Sequence, residues 1–166
     1  MAGKYLIVVL KNFFQWTLIN QLTNNSVRDE IPALNSNGQV VWHENSENGD
    51  FEIFYYDGNA VQRITNNDYE DRLPVISDNG IIAWRGGPSD ELIDIFIYNG
   101  SEILNLSNNS YFDEEPLINK QGDIVWRGFD GQYYQVYYAQ RKIIPEPSTF
   151  FLLGTSLLGL AFKKRA

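Results

Sequence analysis

The sequence predicts an all-β chain: three four-stranded antiparallel units in tandem, followed by a short hydrophobic helix at the C-terminus. Three observations lead there. Aromatic residues make up 14% of the 166, with 10 Tyr, 10 Phe and 4 Trp beside 13 glycines, the composition of a turn-rich β protein. The chain also repeats itself every 42 residues: Pro32, Pro74 and Pro116 share one phase, as do Gly38, Gly80 and Gly122, and Trp42, Trp84 and Trp126. Asp29, Asp71 and Asp113 keep the register, and so do the pairs Asn24-Asn25, Asn66-Asn67 and Asn108-Asn109. Finally, the composition changes after Ile143, where residues 150–162 carry no charge.

Taken in order, residues 1–21 come first. Aligned by Leu22-Thr23 on Ile64-Thr65, residues 13–23 fall where the last hairpin of a preceding unit would lie, so 1–21 read as the remnant of such a unit. The competing reading is a signal peptide, with Lys4 ahead of an apolar stretch. That stretch covers only 5–10 before Lys11 interrupts it, and no small-x-small cleavage site follows.

Residues 22–63, 64–105 and 106–143 are the three repeats, and each parses into short strands. The first strand is expected at 31–35, 73–77 and 115–119. Asn37-Gly38, Asn79-Gly80 and Gln121-Gly122 then supply the positive φ of a hairpin turn. The second strand, at 39–43, 81–85 and 123–127, ends just past the recurrent Trp. The third is aromatic, at 51–56, 93–98 and 133–138. Asp57-Gly58 and Asn99-Gly100 turn into a fourth strand at 61–64 and 103–106; in the third copy that turn has degraded to Ala139-Gln140. Helical repeats of similar length need long apolar runs of period 3.6 without glycine turns, and none occurs.

Four antiparallel strands in 42 residues is the size of one β-propeller blade. The repeat resembles the TolB-type blade, whose pattern is carried best by Asp71-Arg72-Leu73-Pro74-Val75-Ile76-Ser77-Asp78-Asn79-Gly80-Ile81-Ile82-Ala83-Trp84. The Gly-His and Trp-Asp signatures of WD-repeat blades are missing. The resemblance implies a partial β-propeller of three blades. Closed rings carry four to eight blades, so three leave an apolar face open at each end. A homodimer that completes the ring, an open stack and a truncated relative of a longer propeller protein are the ways out.

The tail has three parts: Pro145-Glu146-Pro147 with Ser148 and Thr149, the uncharged segment to Phe162, and Lys163-Lys164-Arg165. Prolines stop the last strand from running on and leave an extended segment that a peptidase could grip. A helix over 148–162 would be about 22 Å long at about 1.5 Å per residue. That is short of a hydrocarbon core of roughly 30 Å, so spanning calls for snorkelling of the basic cluster or local thinning. This layout closely resembles the PEP-CTERM sorting signal. The resemblance implies export, recognition by an exosortase that processes the chain near Pro145-Glu146-Pro147, and transient anchoring in the membrane through 148–162. By the positive-inside rule Lys163, Lys164 and Arg165 form a cytoplasmic basic anchor, with the repeats outside.

Candidate chemistry is sparse. Residues 141–166 hold five of the 13 basic residues and one acid, so residues 1–140 carry 8 basic against 20 acidic residues, a balance of −12. A body that acidic repels phosphate backbones, so no nucleic acid is expected as a partner. The absence of cysteine excludes disulfides, thiolate metal sites and Cys nucleophiles. His43, the single histidine, takes the place of Arg85 and Arg127 in the other copies and reads as an exposed residue after the strand, not as a catalyst. There is no Gly-x-Ser-x-Gly elbow, and Arg85-Gly86-Gly87-Pro88 reads as a connecting turn, not a phosphate loop. Asp71 and Asp113, in acidic loops with Asp68, Glu70, Glu114 and Glu115, are candidate Ca²⁺ ligands without EF-hand spacing. The plainer reading has Asp29, Asp71 and Asp113 accepting backbone N–H bonds that fix each loop. The three tryptophans could stack on carbohydrate, but their common phase on an apolar strand favours packing between units.

The expectation is therefore a non-enzymatic protein of the cell envelope or extracellular matrix, binding an extracellular protein or polysaccharide. A propeller hydrolase or lyase is the enzymatic alternative. No resident cofactor is expected.

Overall fold

The computed structural model describes residues 4–5 and 18–142, which form thirteen strands in four antiparallel sheets. There is no helix among the described residues, and the one expected over 148–162 lies outside them. Strands β1 (Lys4–Tyr5) and β2 (Ile19–Asn20) pair as a small ribbon. The first repeat forms β3 (Asp29–Leu34), β4 (Val40–Asn45), β5 (Phe51–Tyr56) and β6 (Val61–Arg63). The second forms β7 (Glu70–Ile76), β8 (Ile82–Ser89), β9 (Leu92–Tyr98) and β10 (Ile103–Asn105). The third forms β11 (Asp113–Ile118), β12 (Ile124–Phe129) and β13 (Tyr134–Ala139). Each strand hydrogen-bonds only to its sequence neighbours, and no sheet shares a strand with another.

The third sheet shows three strands among the described residues, and the place of its fourth lies beyond them, after Gln140. One expectation about the strands is corrected. The second strands run on to Asn45, Ser89 and Phe129, since their pairing with the aromatic third strand continues beyond the tryptophan.

The first hairpin of each repeat shows why glycine is needed there. Gly38, Gly80 and Gly122 donate to the carbonyls of Asn35, Ser77 and Asn119, at 3.1–3.2 Å, and adopt φ of 77°, 80° and 92°. Asn37, Asn79 and Gln121 keep negative φ, so these turns have one left-handed residue each, the geometry of a type I turn closed by a glycine bulge.

A second irregularity repeats with the same phase. Ile31, Leu73 and Glu115, each ahead of the recurrent proline, have φ of 49°, 56° and 57°, and the register of the first strand slips there in all three sheets. Proline offers no N–H, so the ladder must break at that point. A left-handed non-glycine residue costs about 1 kcal/mol; surrounding packing offsets it three times over.

The sheets stack face to face. Side chains alternate along β8, so Ile82 and Trp84 join Val41, Ile53 and Ile76 in a core between the first two sheets, while Ala83 joins Ile95, Ile124 and Trp126 between the second and third. Ile53, Ile82 and Ile95 are fully buried, each contributing about 1.5–3 kcal/mol. Polar bonds between turns copy the same step. Asn35 Nδ2 donates to the Ser77 carbonyl at 2.9 Å, Asn79 Nδ2 to that of Gln121 at 2.7 Å, and the Ser36 N–H to Asp78 Oδ1 at 2.8 Å.

Candidate functional site

The recurrent aspartates sit at the start of β7 and β11 beneath the recurrent tryptophans. Asp71 Oδ1 accepts the indole N–H of Trp84 at 2.7 Å, and its Oδ2 accepts Asn67 Nδ2 at 2.7 Å. Asp113 repeats this with Trp126 at 3.0 Å and Asn109 at 2.5 Å. The donors are side chains, which corrects the expectation of backbone N–H groups. The loop is fixed indirectly: Asn67 Oδ1 and Asn109 Oδ1 accept the N–H groups of Tyr69 and Tyr111. Burial lifts the Asp71 carboxyl to about 6, against the pull of its hydrogen bonds.

Glycine makes room for this arrangement. A Cβ on Gly86 would meet Asp71 Oδ1 at 2.1 Å, and one on Gly128 would meet Asp113 Oδ1 at 2.0 Å. Both glycines stand directly across the ladder from their aspartates. Sequence reading took Arg85-Gly86-Gly87-Pro88 for a turn, whereas all four residues lie in β8. Their signal was the recurrence of glycine two residues after the tryptophan in the second and third copies.

The first copy departs from the pattern. Glu44 occupies the glycine position, across from Asp29, and the two carboxyls lie within hydrogen-bonding reach. Asp29 accepts the Thr23 hydroxyl instead, at 2.7 Å, and Trp42 Nε1 is buried near Glu44 without a well-formed hydrogen bond. Burial, then Asp29, raises the Glu44 pKa. A polar cleft of about 500 Å³ opens beside this pair, lined by Asn25, Glu44, Asn48, Phe54 and Arg63 among others.

The candidate cation ligands Asp71 and Asp113 are thus surrounded by N–H donors where a Ca²⁺ ion needs oxygens. No group of three His, Asp or Glu suited to a metal occurs among the described residues. The tryptophan rings are 4%, 1% and 9% exposed and stack on Phe54, Phe96 and Tyr137 at 5.5–6.0 Å, so their faces are spent on packing. His43, expected at the surface, is 1% exposed. It packs edge-on against Phe51, its Nδ1 lies 3.4 Å from the Leu73 N–H, and burial lowers its pKa. Glu30 Oε2 lies 3.5 Å from its Nε2, and the equivalent Arg85 of the second repeat reaches Glu114 at 3.3 Å. Pro145, Glu146, Pro147, Lys163, Lys164 and Arg165 lie outside the described residues.

Comparison with known proteins addresses both halves of the chain. The structure is similar to that of a putative TolB from Agrobacterium tumefaciens, with a TM-score of 0.56 and 15% sequence identity over 75% of this chain. The chain spans 49% of that protein's length. TolB is a β-propeller protein, so the likeness concerns the fold. No curated protein matches the sequence. Residues 144–165 match the family model of the PEP-CTERM protein-sorting motif. The chain therefore carries a PEP-CTERM sorting signal, the mark of an exported protein handled by exosortase, behind an all-β body similar in fold to part of TolB.

Proposed function

We propose that this chain is a cell-envelope or extracellular-matrix protein whose three repeats form a propeller-type binding or scaffold domain. In this reading exosortase processes the tail near Pro145-Glu146-Pro147, after residues 148–162 have held the chain in the membrane with Lys163, Lys164 and Arg165 on the cytoplasmic side. The remnant reading of residues 1–21 belongs to the same picture, because β2 falls at the repeat phase of β6 and β10.

The observation that carries the proposal is the sorting motif at residues 144–165. Binding is favoured over catalysis by how the buried ionisable groups are used. Asp71 and Asp113 accept indole and amide N–H bonds, and His43 faces a backbone N–H. Fully buried Glu52 accepts Arg63 and the Asn67 N–H at 2.9 Å. These are structural duties, and the ligand is expected to be an extracellular protein or polysaccharide.

Mass spectrometry of the chain isolated from an exosortase-bearing host tests the sorting step. The expected C-terminus lies near Pro147, and replacing Pro145, Glu146 and Pro147 by alanine should preserve the tail. A native chain intact to Ala166 in that host would sink the reading.

A further inference from the structure

The polar cleft of the first repeat is wider than its counterpart in the second. It lies at the end of the first sheet where the β4–β5 turn meets the loops ahead of β3 and β7, and Asn25, Glu44, Asn48, Phe54, Arg63 and Asn66 help to line it. The hollow of the second repeat has Asn67, Tyr69 and Phe96 at the places of Asn25, Val27 and Phe54. It holds about 200 Å³, against about 500 Å³ here. Two departures from the repeat accompany the difference. Tyr69 lays its ring 6.4 Å from that of Phe96, and Tyr111 packs edge-on against Phe129 at 6.1 Å. Val27 stands at this place in the first repeat, with no ring to lay on Phe54. Glu44, where the later repeats have glycine, adds a carboxyl to the wall.

The chemistry of the walls selects a class of ligand. Phe54 is half-buried and already stacked on Trp42 at 6.0 Å, which holds its ring in place. Arg63 donates through Nε to the Thr65 carbonyl at 2.8 Å and through Nη2 to Glu52 at 2.9 Å, so its guanidinium is positioned and its charge compensated. Asn45 Nδ2 donates to the Gly49 carbonyl and Ser46 Oγ bonds Asp50, shaping the turn that displays Asn48 at the surface. Burial and the neighbouring Asp29 favour the neutral form of Glu44. The result is a wall of amides, each both donor and acceptor, beside a flat aromatic surface, with no concentration of one charge. A pyranose ring has the matching surface: hydroxyls around its edge and C–H groups on its faces. The volume falls in the range of roughly 300–1,000 Å³ typical of small-molecule sites.

We infer that this cleft binds a neutral hexose unit of an extracellular polysaccharide, with the sugar ring laid on Phe54 and its hydroxyls bonded by Asn48, Asn66 and Arg63. The inference deepens the binding reading above and rests on it, but not on the processing of the tail.

The test is calorimetric titration of the full-length chain, in a detergent without a sugar headgroup, with neutral tetrasaccharides of glucose, mannose and galactose. Tetragalacturonate serves as the anionic comparison. At least one neutral saccharide should bind, and more tightly than tetragalacturonate. Val27→Tyr restores the ring of the other repeats and should abolish binding, whereas Val27→Thr keeps the side-chain volume and should keep the affinity. Asn48→Ala, at an exposed position, should weaken binding roughly tenfold, on the order of one hydrogen bond, and it carries the test if thermal melts show Val27→Tyr to be unfolded. A folded wild type that binds none of the neutral saccharides, or a folded Val27→Tyr that binds them unchanged, would overturn the inference. So would capture from the host's extracellular fraction of only a protease-sensitive binder that Val27→Tyr loses; the cleft would then serve a protein, and the binding reading would stand without the sugar. The C-terminal mass of the same preparations reports on sorting separately.

Discussion

Placing a single methyl group on Gly86 tests the account of the aspartate–tryptophan pair. In Gly86→Ala the new Cβ would stand 2.1 Å from Asp71 Oδ1 and 3.3 Å from the Glu70 carbonyl. Contact needs about 3.4 Å, so the carboxylate must retreat by more than 1 Å, and its 2.7 Å bond from Trp84 Nε1 is lost. A hydrogen bond to a charged group contributes roughly 1.5–3 kcal/mol, and the abandoned indole N–H, 1% exposed as part of Trp84, adds about 1–3 kcal/mol. The two overlap, so the expected loss is about 3 kcal/mol, roughly a hundredfold in the folding constant. Urea unfolding of the full chain, followed by tryptophan fluorescence, measures it. Gly100→Ala is the control: Gly100 has φ of 97° but nothing within 4 Å, so it registers backbone strain alone, about 1 kcal/mol. If Gly86→Ala unfolds within 0.5 kcal/mol of Gly100→Ala, the argument that glycine is there to seat the aspartate is wrong.

Further expectations concern the neighbouring carboxyls. Glu44→Gly should recreate the later repeats' geometry, letting Asp29 reach Trp42 Nε1, and should stabilise the chain by about 1 kcal/mol after the cost of a glycine in a strand. Because the Glu44 pKa is raised in the folded state, wild-type stability falls as pH rises through that value. The benefit should therefore be larger at pH 8 than at pH 5 in thermal melts. Asp71 gives a pH dependence of its own. Folded, it keeps its proton up to about pH 6; unfolded, only to about 4, so the folded chain binds more protons between these values. Stability should thus decline by about 2 kcal/mol from pH 4 to 6, to order of magnitude. Asp71→Asn should flatten this slope, and an unchanged profile would show that Asp71 is ionised throughout. In a shorter comparison, Ile95→Ala should cost about 2–5 kcal/mol. Val136→Ala, at the equivalent but 83% exposed place, should change the stability of the isolated monomer by less than about 0.5 kcal/mol.

Much of the architecture could be read from residues that mark punctuation. Gly38, Gly80 and Gly122 fixed the first hairpins, and the shared phase of the tryptophans placed Trp84 and Trp126 in the cores between sheets, while Trp42 is buried without a described sheet against it. What escaped was cross-strand chemistry. Asp71, Trp84 and Gly86 are separated along the chain, and their relation depends on a register that puts Gly86 opposite Asp71. Periodicity reports which face a residue takes, not which atom it meets. His43 was misplaced for a related reason. Its counterparts in the repeat pattern are arginines, whose long side chains reach Glu114 while staying 24% and 44% exposed, whereas the shorter imidazole is 1% exposed. The tail was legible because its signal is compositional and needs no tertiary contact.

The pairing of every strand with its neighbour in sequence has a consequence for how such a chain matures. Among the described residues, none of the three repeat sheets takes a strand from far along the polypeptide, so each requires only the closure of short loops. A polypeptide delivered lengthwise across a membrane can thus complete its first sheet, then its second, while later residues are still in transit. Growth or loss of the protein over evolution can proceed in whole steps of 42 residues, since removing one module breaks no ladder in the others.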